Sequence, residues 1–351
     1  MWMYVGTTTR RTSRGIYGLE LDETTGQFSE PKLMAETNNP SFLALSSNGE
    51  RLYAVAEPGT FDGQPHAGIT AYAVDKASRA LTVINAQPTG ETGNCHVGVT
   101  PDGKYVGAAD YGSAVVTLVP VRADGGLDPA TTNIKHNGRG PNPERQEKAH
   151  AHCATSDPTG QYFIVCDLGM DETVVYRITN GKTLERHSHA TAAPGAGPRH
   201  VDFGRDRRFA YVVNELDNTV DVMRWDAKAG TLVREQTVPM LPPDFKAYSK
   251  AAEVCVHPSG QFVYASNRGH DSIAKYHVDR DTGHLSVAGQ TPCGGKSPRH
   301  FGVEPTGKFL ISCHEESDTL VAFRINDQTG DLTPTGGVAK VNRPMCVVFT
   351  A

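Results

Sequence analysis

Asp281-Thr282-Gly283-His284-Leu285 is a short polar turn that closes on an apolar residue, and six further copies of this element occur along the chain. The closing apolar residues are Phe28, Leu81, Leu127, Leu184, Leu232, Leu285 and Leu332, at separations of 53, 46, 57, 48, 53 and 47 residues. A period near 50 residues that covers the whole chain indicates one architecture built from copies of a single unit.

A second element, Pro258-Ser259-Gly260, is followed by the run Gln261-Phe262-Val263-Tyr264-Ala265. Similar turns are Ser47-Asn48-Gly49, Pro101-Asp102-Gly103, Pro158-Thr159-Gly160, Pro305-Thr306-Gly307 and the degraded copy Arg205-Asp206-Arg207. The runs after these turns are rich in β-branched and aromatic residues, which is typical of strands. Each unit therefore contains four strands, here called a to d, and two tight turns, which is the pattern of a β-propeller blade.

The two kinds of turn differ in number, and this difference predicts how the ring closes. The turn between strands c and d occurs seven times, whereas the turn between strands a and b occurs six times. The chain begins with a b-like strand, Trp2–Val5, and ends with an a-like strand, Met345–Phe349. We predict an all-β, seven-bladed propeller with four antiparallel strands per blade, a single domain over residues 1–351, whose terminal strands share one blade and so leave no open sheet edge. The alternative, two β-sandwiches, leaves the constant period unexplained.

Composition excludes several classes of function. The formal charge of −5 comes from 34 basic and 39 acidic residues, so we expect no general attraction to nucleic acid or anionic membranes. Seven cysteines without a C-x-x-C pair indicate free thiols rather than disulfides or a zinc cluster. The first residues lack the charged and apolar regions of a signal peptide. We therefore expect a cytoplasmic protein that is a monomer or a weak homo-oligomer.

Polar residues concentrate where the a-strands begin and the b-strands end. Because a and b form an antiparallel hairpin, these positions meet at one face of the disc, around the mouth of the central channel. At the starts of a-strands the candidates are His150, His152, Arg199, His200, Glu253, Arg299 and His300. At the ends of b-strands they are Asn214, Glu215, Arg268 and His314. Imidazole and guanidinium groups that face carboxylates suit the binding of an oxyanion beside a general base, with a formal charge balance near zero.

Alternative roles remain open for these residues. A histidine at a strand start is also typical of a hydrogen bond between blades, and Arg199 and Arg299 share a Pro-Arg-His setting that suits cross-linking. His150 and His152 with Asp167 form a candidate metal site, but the acidic cage that Mg²⁺ or Ca²⁺ prefers is missing, so we expect no metal. No phosphate-binding loop and no nucleophile elbow is present, so we expect no cofactor and acid–base rather than covalent catalysis.

The segment Gly138–His152, together with Asp167-Leu168-Gly169, Asn214-Glu215-Leu216, Ser266-Asn267-Arg268 and two Pro-Arg-His triplets, resembles the seven-bladed lactonase family over essentially the whole chain. That family includes bacterial cytosolic 6-phosphogluconolactonases and fungal 3-carboxy-cis,cis-muconate lactonizing enzymes. The resemblance implies a lactone site at the channel mouth with one His, one Glu and two Arg as the catalytic set. These carry over to His152 (less readily His150), Glu215, Arg199 and Arg268.

This sequence departs from the family pattern in two places. One is Cys313-His314-Glu315-Glu316, where relatives usually carry an Asn-containing segment, and the other is Glu57-Pro58 with the insertion Gly59–His66. Both are expected at the mouth, so they bear on the choice of substrate.

We predict from this resemblance the hydrolysis of a sugar δ-lactone, in the first place 6-phosphoglucono-1,5-lactone to 6-phosphogluconate in the pentose phosphate pathway. Either Glu215 or His152 takes a proton from the attacking water, and Arg199 with Arg268 stabilises the oxyanion. The phosphate is assigned to one of three cationic groups, Arg299, His300 or Arg145. The alternatives are carboxymuconate cycloisomerisation, another sugar-acid lactonase, and a non-catalytic interaction propeller, which needs an exposed apolar rim.

Overall fold

The computed structural model describes residues 1–61, 64–89 and 93–350. These residues form twenty-eight strands in seven four-stranded antiparallel sheets. The innermost strand or hairpin of each sheet contacts that of the next sheet, in a closed circle around one axis. The predicted seven-bladed propeller is confirmed.

The strands are numbered in chain order and grouped by blade. Blade 1 contains β1 (Trp2–Thr7), β2 (Gly15–Glu20), β3 (Lys32–Glu36) and the last strand, β28 (Pro344–Phe349); blade 2 contains β4 (Leu43–Leu45), β5 (Arg51–Phe61), β6 (Gln64–Val74) and β7 (Leu81–Pro88). Blade 3 contains β8 (Asn94–Val99), β9 (Tyr105–Asp110), β10 (Val115–Pro120) and β11 (Thr132–Lys135); blade 4 contains β12 (Thr155–Ser156), β13 (Tyr162–Asp167), β14 (Glu172–Thr179) and β15 (Thr183–Thr191). Blade 5 contains β16 (Pro198–Phe203), β17 (Phe209–Asn214), β18 (Thr219–Asp226) and β19 (Thr231–Pro239); blade 6 contains β20 (Lys250–Val256), β21 (Phe262–Arg268), β22 (Ser272–Val278) and β23 (Leu285–Pro292). Blade 7 contains β24 (Pro298–Val303), β25 (Phe309–His314), β26 (Thr319–Ile325) and β27 (Leu332–Lys340).

The two ends of the chain close the ring, as the turn count predicts. Strand β28 is the innermost strand of blade 1 and pairs antiparallel with β1, with Tyr4 opposite Val348 and Met3 opposite Phe349. The ring is therefore held shut by a full strand pairing between segments more than 300 residues apart.

The repeated turns depend on a left-handed backbone conformation. Gly283 in the c–d turn of blade 6 has a φ of 69°. In two copies where glycine is replaced, Arg79 and Arg207, the arginine adopts the same conformation with a φ of 62°. Since side chains other than glycine enter this region at a cost, the fold imposes the turn even where the local sequence opposes it.

Hydrophobic packing lies between the blades. Across the described residues, each pair of neighbouring blades encloses its own apolar cluster. Between blades 5 and 6, for example, Tyr211 and Val222 pack with Val254 and Tyr276. Each sheet is thus covered on both faces by its neighbours, which is why no blade can be stable alone.

Tyrosine hydroxyls add a directional contact between blades. In five blades, a tyrosine on strand b donates a hydrogen bond to a backbone carbonyl in the c–d turn of the next blade. The accepting residue is the one with positive φ in that turn. We call this contact the tyrosine latch. The pairs are Tyr4 to Arg79 at 2.7 Å, Tyr53 to Gly125 at 3.2 Å, Tyr105 to Gly181, Tyr211 to Gly283 at 3.0 Å and Tyr264 to Gly330 at 2.7 Å.

Two further expectations concern the whole chain. All seven cysteines are free thiols, which confirms the prediction made from their spacing. Within the described ranges, no helical segment has the length and apolar character needed to span a lipid bilayer.

Substituting a turn glycine tests the packing between turn and neighbouring blade. Gly283 and Gly49 both have a φ of 69°, but a Cβ at Gly283 would lie 2.3 Å from the Phe209 ring, whereas one at Gly49 would meet nothing within 4 Å. Gly49→Ala is expected to lower the free energy of unfolding by about 1 kcal/mol. Gly283→Ala adds overpacking and is expected to cost about 1–3 kcal/mol more. Equal losses in urea unfolding would contradict the role assigned to this contact.

Candidate active site

One side chain from the start of each blade's innermost strand meets the others on the propeller axis. We call this set the axial layer; its members are Phe42, His96, His152, His200, Glu253, His300 and Cys346. The Phe42 ring lies 4.1 Å from His96, 5.6 Å from His200 and 5.5 Å from His300, measured between ring centroids. The His152 and His200 ring centroids are 5.2 Å apart. Side chains in mutual contact therefore cross the central channel.

Hydrogen bonds join His200 to Glu253 within this layer and to Arg199 above it. His200 Nδ1 lies 2.9 Å from Glu253 Oε2, and His200 Nε2 lies 3.2 Å from Arg199 Nη1. Because a guanidinium can only donate, His200 Nε2 is the acceptor and Nδ1 carries the proton. Burial, with help from Arg199, lowers the pKa of His96 to about 3 and that of His200 well below its usual value. The imidazoles are therefore neutral at pH 7, and Glu253 fixes the orientation of His200 beneath Arg199.

A cavity of about 220 Å³ opens above the axial layer. Phe42 and His200 form part of its floor, and Arg199, Arg299 and Glu315 belong to its wall. Its position is the one expected from hairpin geometry, at the face where a-strands begin and b-strands end.

The first ionic group on this face is centred on Glu215. We call it the Glu215 cluster; its members are Glu215, Arg145, Arg199, Arg268 and His152. Glu215 Oε2 lies 3.0 Å from Arg199 Nε and 2.8 Å from Arg268 Nη2, and Oε1 lies 2.7 Å from Arg145 Nη2. Burial alone would raise the pKa of Glu215, but the surrounding cations hold it well below its usual value. Glu215 is an ionised carboxylate whose strongest contacts are all with guanidinium groups.

His152 lies beside this carboxylate, with Nε2 3.9 Å from Glu215 Oε2. Burial and the charge of Arg199 hold the pKa of His152 well below 6.5, so the ring is neutral. Its buried Nδ1 has no hydrogen-bond partner among the described residues. Regular strand β12 begins only at Thr155, and His152 is held before it by a backbone hydrogen bond to the Cys166 carbonyl at 2.8 Å.

Arg145 reaches Glu215 from the long connection between blades 3 and 4. The side chain of Gln146 anchors that connection through hydrogen bonds to the Leu168 carbonyl at 2.8 Å and to Asp171 at 2.6 Å. Arg145 Nη2 also donates to the Tyr111 hydroxyl at 3.2 Å. The motif that carries the family resemblance thus places a guanidinium over the site.

Blade 7 repeats the arrangement of blade 5 and forms a second ionic group, the Glu315 cluster of Glu315, Arg299 and Arg343. Arg299 Nη1 lies 3.6 Å from Glu315 Oε2, and Arg343 Nη2 donates to Glu315 Oε1. Burial raises the pKa of Glu315, but Arg299 and Arg343 outweigh it and hold that pKa below its usual value.

The face carries a surplus of positive charge. Five guanidinium groups in the two clusters oppose two carboxylates, which leaves three positive charges, or two when Glu253 below is counted as ionised. The expected balance near zero does not occur because Asp110 and Asp167 turn away. Asp110 accepts from the Gly93 amide at 2.6 Å, and Asp167 accepts from the His150 amide at 2.8 Å and contacts His136 at 2.6 Å. The cavity is therefore suited to an anionic ligand.

Three candidate residues belong neither to the two ionic clusters nor to the axial layer, and they do not line the cavity. His150 stacks on Tyr111 with 4.3 Å between centroids and contacts Glu147. Asn214 donates to Thr219 at 2.9 Å, and His314 is bonded to Ser312 and Thr319 within its own blade. In the part of the chain that the structure describes, no three His, Cys, Asp or Glu side chains are grouped so as to hold a metal ion. Asp167 in particular is committed to its His136 and amide contacts.

Arg343 is a site residue that the sequence prediction missed. It precedes Pro344 at the start of β28, as Gly197 precedes Pro198 and Ser297 precedes Pro298. All three residues before proline have a positive φ, of 46°, 68° and 60°. The recurrent X-Pro at the strand start was the available signal. Of the two departures noted above, Glu315 belongs to the site, while the side chains of residues 57–66 lie outside the described residues.

Comparison with known proteins agrees with this geometry. The chain matches the family described as "Lactonase, 7-bladed beta-propeller" over residues 2–349, and it belongs to that family. It is 40% identical to the 6-phosphogluconolactonase of Bacillus subtilis over 298 residues, which are 85% of this chain and 83% of the relative.

Solved structures give the same result. A putative 6-phosphogluconolactonase from Bacteroides fragilis superposes with a TM-score of 0.90 at 33% identity, covering 100% of this chain and 98% of that one. The periplasmic gluconolactonase of Pseudomonas aeruginosa superposes with a TM-score of 0.93 at 31% identity. The superposition covers 100% of this chain and 99% of that one. The family resemblance and the enzyme class, a lactonase, are confirmed.

Neutralising Glu215 tests how far the cluster depends on its carboxylate. Glu215→Gln leaves three guanidinium groups together without their counter-ion and is expected to lower the free energy of unfolding by about 3–5 kcal/mol. The control is Glu36→Gln, because Glu36 pairs with Arg14 at 2.9 Å on the surface and its loss should not change the melting temperature measurably. A Glu215→Gln variant as stable as the wild type would contradict this interpretation.

Proposed function

We propose that this protein hydrolyses a sugar δ-lactone, with 6-phosphoglucono-1,5-lactone as the substrate and 6-phosphogluconate as the product. The observation that carries the proposal is the meeting of two guanidinium–carboxylate clusters at the propeller axis, beside a small cavity that Arg199, Arg299 and Arg343 line. The names of the family and of the two lactonase relatives support the reaction class.

Electrostatic stabilisation of the oxyanion is the main task of the Glu215 cluster in this proposal. Water adds to the lactone carbonyl carbon, negative charge develops on the carbonyl oxygen, and the ring C–O bond then breaks with protonation of the ring oxygen. Arg199 and Arg268 are held by Glu215 and by backbone carbonyls, so their N–H groups need little reorganisation as the charge develops.

His152 is the general base in this proposal, and Glu215 is not. Three guanidinium groups stabilise the ionised form of Glu215 and make it a weak base. His152 is neutral and can accept a proton, and Glu215 at 3.9 Å would stabilise the imidazolium that results. Glu215 then acts as the anchor that orients the guanidinium groups.

The other functions are less well supported. Carboxymuconate cycloisomerisation is not favoured, since the relatives described above are named for sugar lactones. A non-catalytic interaction propeller would need an apolar rim, but charged residues line the cavity mouth. Cytoplasmic location and a monomeric or weakly associated state remain predictions; the seven free thiols support a reducing compartment.

A direct assay tests the reaction. The purified protein is expected to accelerate hydrolysis of 6-phosphoglucono-1,5-lactone with a kcat/KM on the order of 10⁴ M⁻¹s⁻¹ or more, after subtraction of the spontaneous rate. The same preparation should not cyclise 3-carboxy-cis,cis-muconate, which is followed by its ultraviolet absorbance. Cyclisation without lactone hydrolysis would overturn the proposal.

Substitution of two neighbouring histidines tests the choice of base. His152→Asn is expected to lower kcat by about 10²–10⁴-fold, because the proton acceptor is lost. The matched control is His150→Asn, which changes a buried histidine two positions away that stacks on Tyr111 and contacts Glu147 rather than Glu215. Its kcat should fall less than tenfold. Equal effects of the two substitutions, at similar melting temperatures, would exclude His152 as the base.

A further inference from the structure

Arg299 presents its donors to the cavity without an internal acceptor. A guanidinium has five N–H donors, and buried or partly buried donors usually find partners. Among the described residues no hydrogen-bond acceptor for Arg299 is found, and its closest carboxylate oxygen, Glu315 Oε2, is 3.6 Å away. Its side chain lies on the cavity wall and is 27% exposed.

Arg343 is also incompletely satisfied. Its Nη2 donates to Glu315 Oε1, but its buried Nε has no partner in the described part of the chain. Its backbone is held at a φ of 46° with its amide donating to Asp318 at 2.8 Å.

The two ionic clusters differ in how complete they are. In the Glu215 cluster both carboxylate oxygens are held by guanidinium groups at 3.0 Å or less, and the carboxylate is 3% exposed. In the Glu315 cluster one guanidinium is at 3.6 Å, and the carboxylate is 15% exposed. The Glu215 carboxylate is therefore fully held, although Arg268 Nε also lacks a partner among the described residues, whereas Glu315 holds Arg299 only at a distance and leaves its donors on the cavity wall.

We propose that Arg299 and Arg343 form the subsite for the phosphate group of the substrate, and that Glu315 holds the two guanidinium groups in place until the phosphate binds. This inference rests on the proposed function. The planar guanidinium fork matches phosphate oxygens, and two forks with one counter-ion between them leave positive charge for a dianion. The lactone carbonyl then faces Arg199 on the same cavity wall, and the phosphate faces blade 7.

The other two phosphate candidates are already engaged. His300 lies in the axial layer, with Nε2 3.3 Å from Glu253 and Nδ1 accepting from the Val347 amide at 3.3 Å. Arg145 Nη2 is bonded to Glu215 and Tyr111. Neither residue lines the cavity, whereas Arg299 and Arg343 do.

Kinetics with two lactones test the subsite. The quantity measured is the ratio of kcat/KM for 6-phosphoglucono-1,5-lactone to kcat/KM for glucono-1,5-lactone. Arg343→Gln and Arg299→Gln are each expected to lower this ratio tenfold or more, mainly through the KM of the phosphorylated lactone. The control is Arg224→Gln, because Arg224 pairs with Glu235 on the surface of β18 and should leave the ratio unchanged. Melting temperatures of all variants establish that they fold.

Each outcome decides the inference. If both variants lose kcat/KM equally for the two lactones, the phosphate subsite is overturned and the lactonase function is retained. The same conclusion follows if the wild type has a higher kcat/KM for the unphosphorylated lactone. If the wild type hydrolyses neither lactone, the proposed function fails, and titration calorimetry with 6-phosphogluconate decides the subsite. Binding that weakens in Arg343→Gln supports it, and absence of binding to the wild type overturns it.

Discussion

The packing of each blade against its neighbours is the constraint on which the rest of this structure depends. The apolar clusters lie between sheets, so no blade buries its own faces, and β28, paired with β1, contributes to the clusters on both sides of blade 1. The tyrosine latches add a directional contact at five of the seven junctions between blades. This rigid ring is what allows side chains from six or seven separate stretches of sequence to meet at one axis.

Burial of so many charges at that axis is possible because they are arranged as complementary groups. Glu215 offsets the mutual repulsion of three guanidinium groups, and Glu315 does the same for two. Burial and the nearby charges Arg268 and Arg299 lower the pKa of Arg199 to about 10, which still leaves it charged at pH 7. The remaining positive charge is the part of the site that a substrate anion can neutralise.

The sequence was sufficient for the fold and for part of the site. The turns at Gly260 and Gly283 and their copies predicted the blade number and the shared terminal blade, because turn chemistry is local. Hairpin geometry also predicted that Arg199 and Glu215 meet. It could not show that Asn214 and His314 turn into their own hairpins, nor that Asp110 binds backbone amides, because side-chain direction at a strand end depends on neighbouring loops. Arg343 escaped notice because it lies in a connection, outside the strand pattern.

The axial layer determines the route by which a ligand enters and leaves the pocket. Since Phe42 and the histidines meet across the channel, the binding pocket is a cup with one opening rather than a tunnel. The acid formed in the reaction has to depart the way the lactone arrived. It carries one more negative charge than the lactone, so the guanidinium groups that line the pocket hold it more strongly than they hold the lactone. Release of the acid from the pocket, rather than ring opening, is then the step that high ionic strength would speed up.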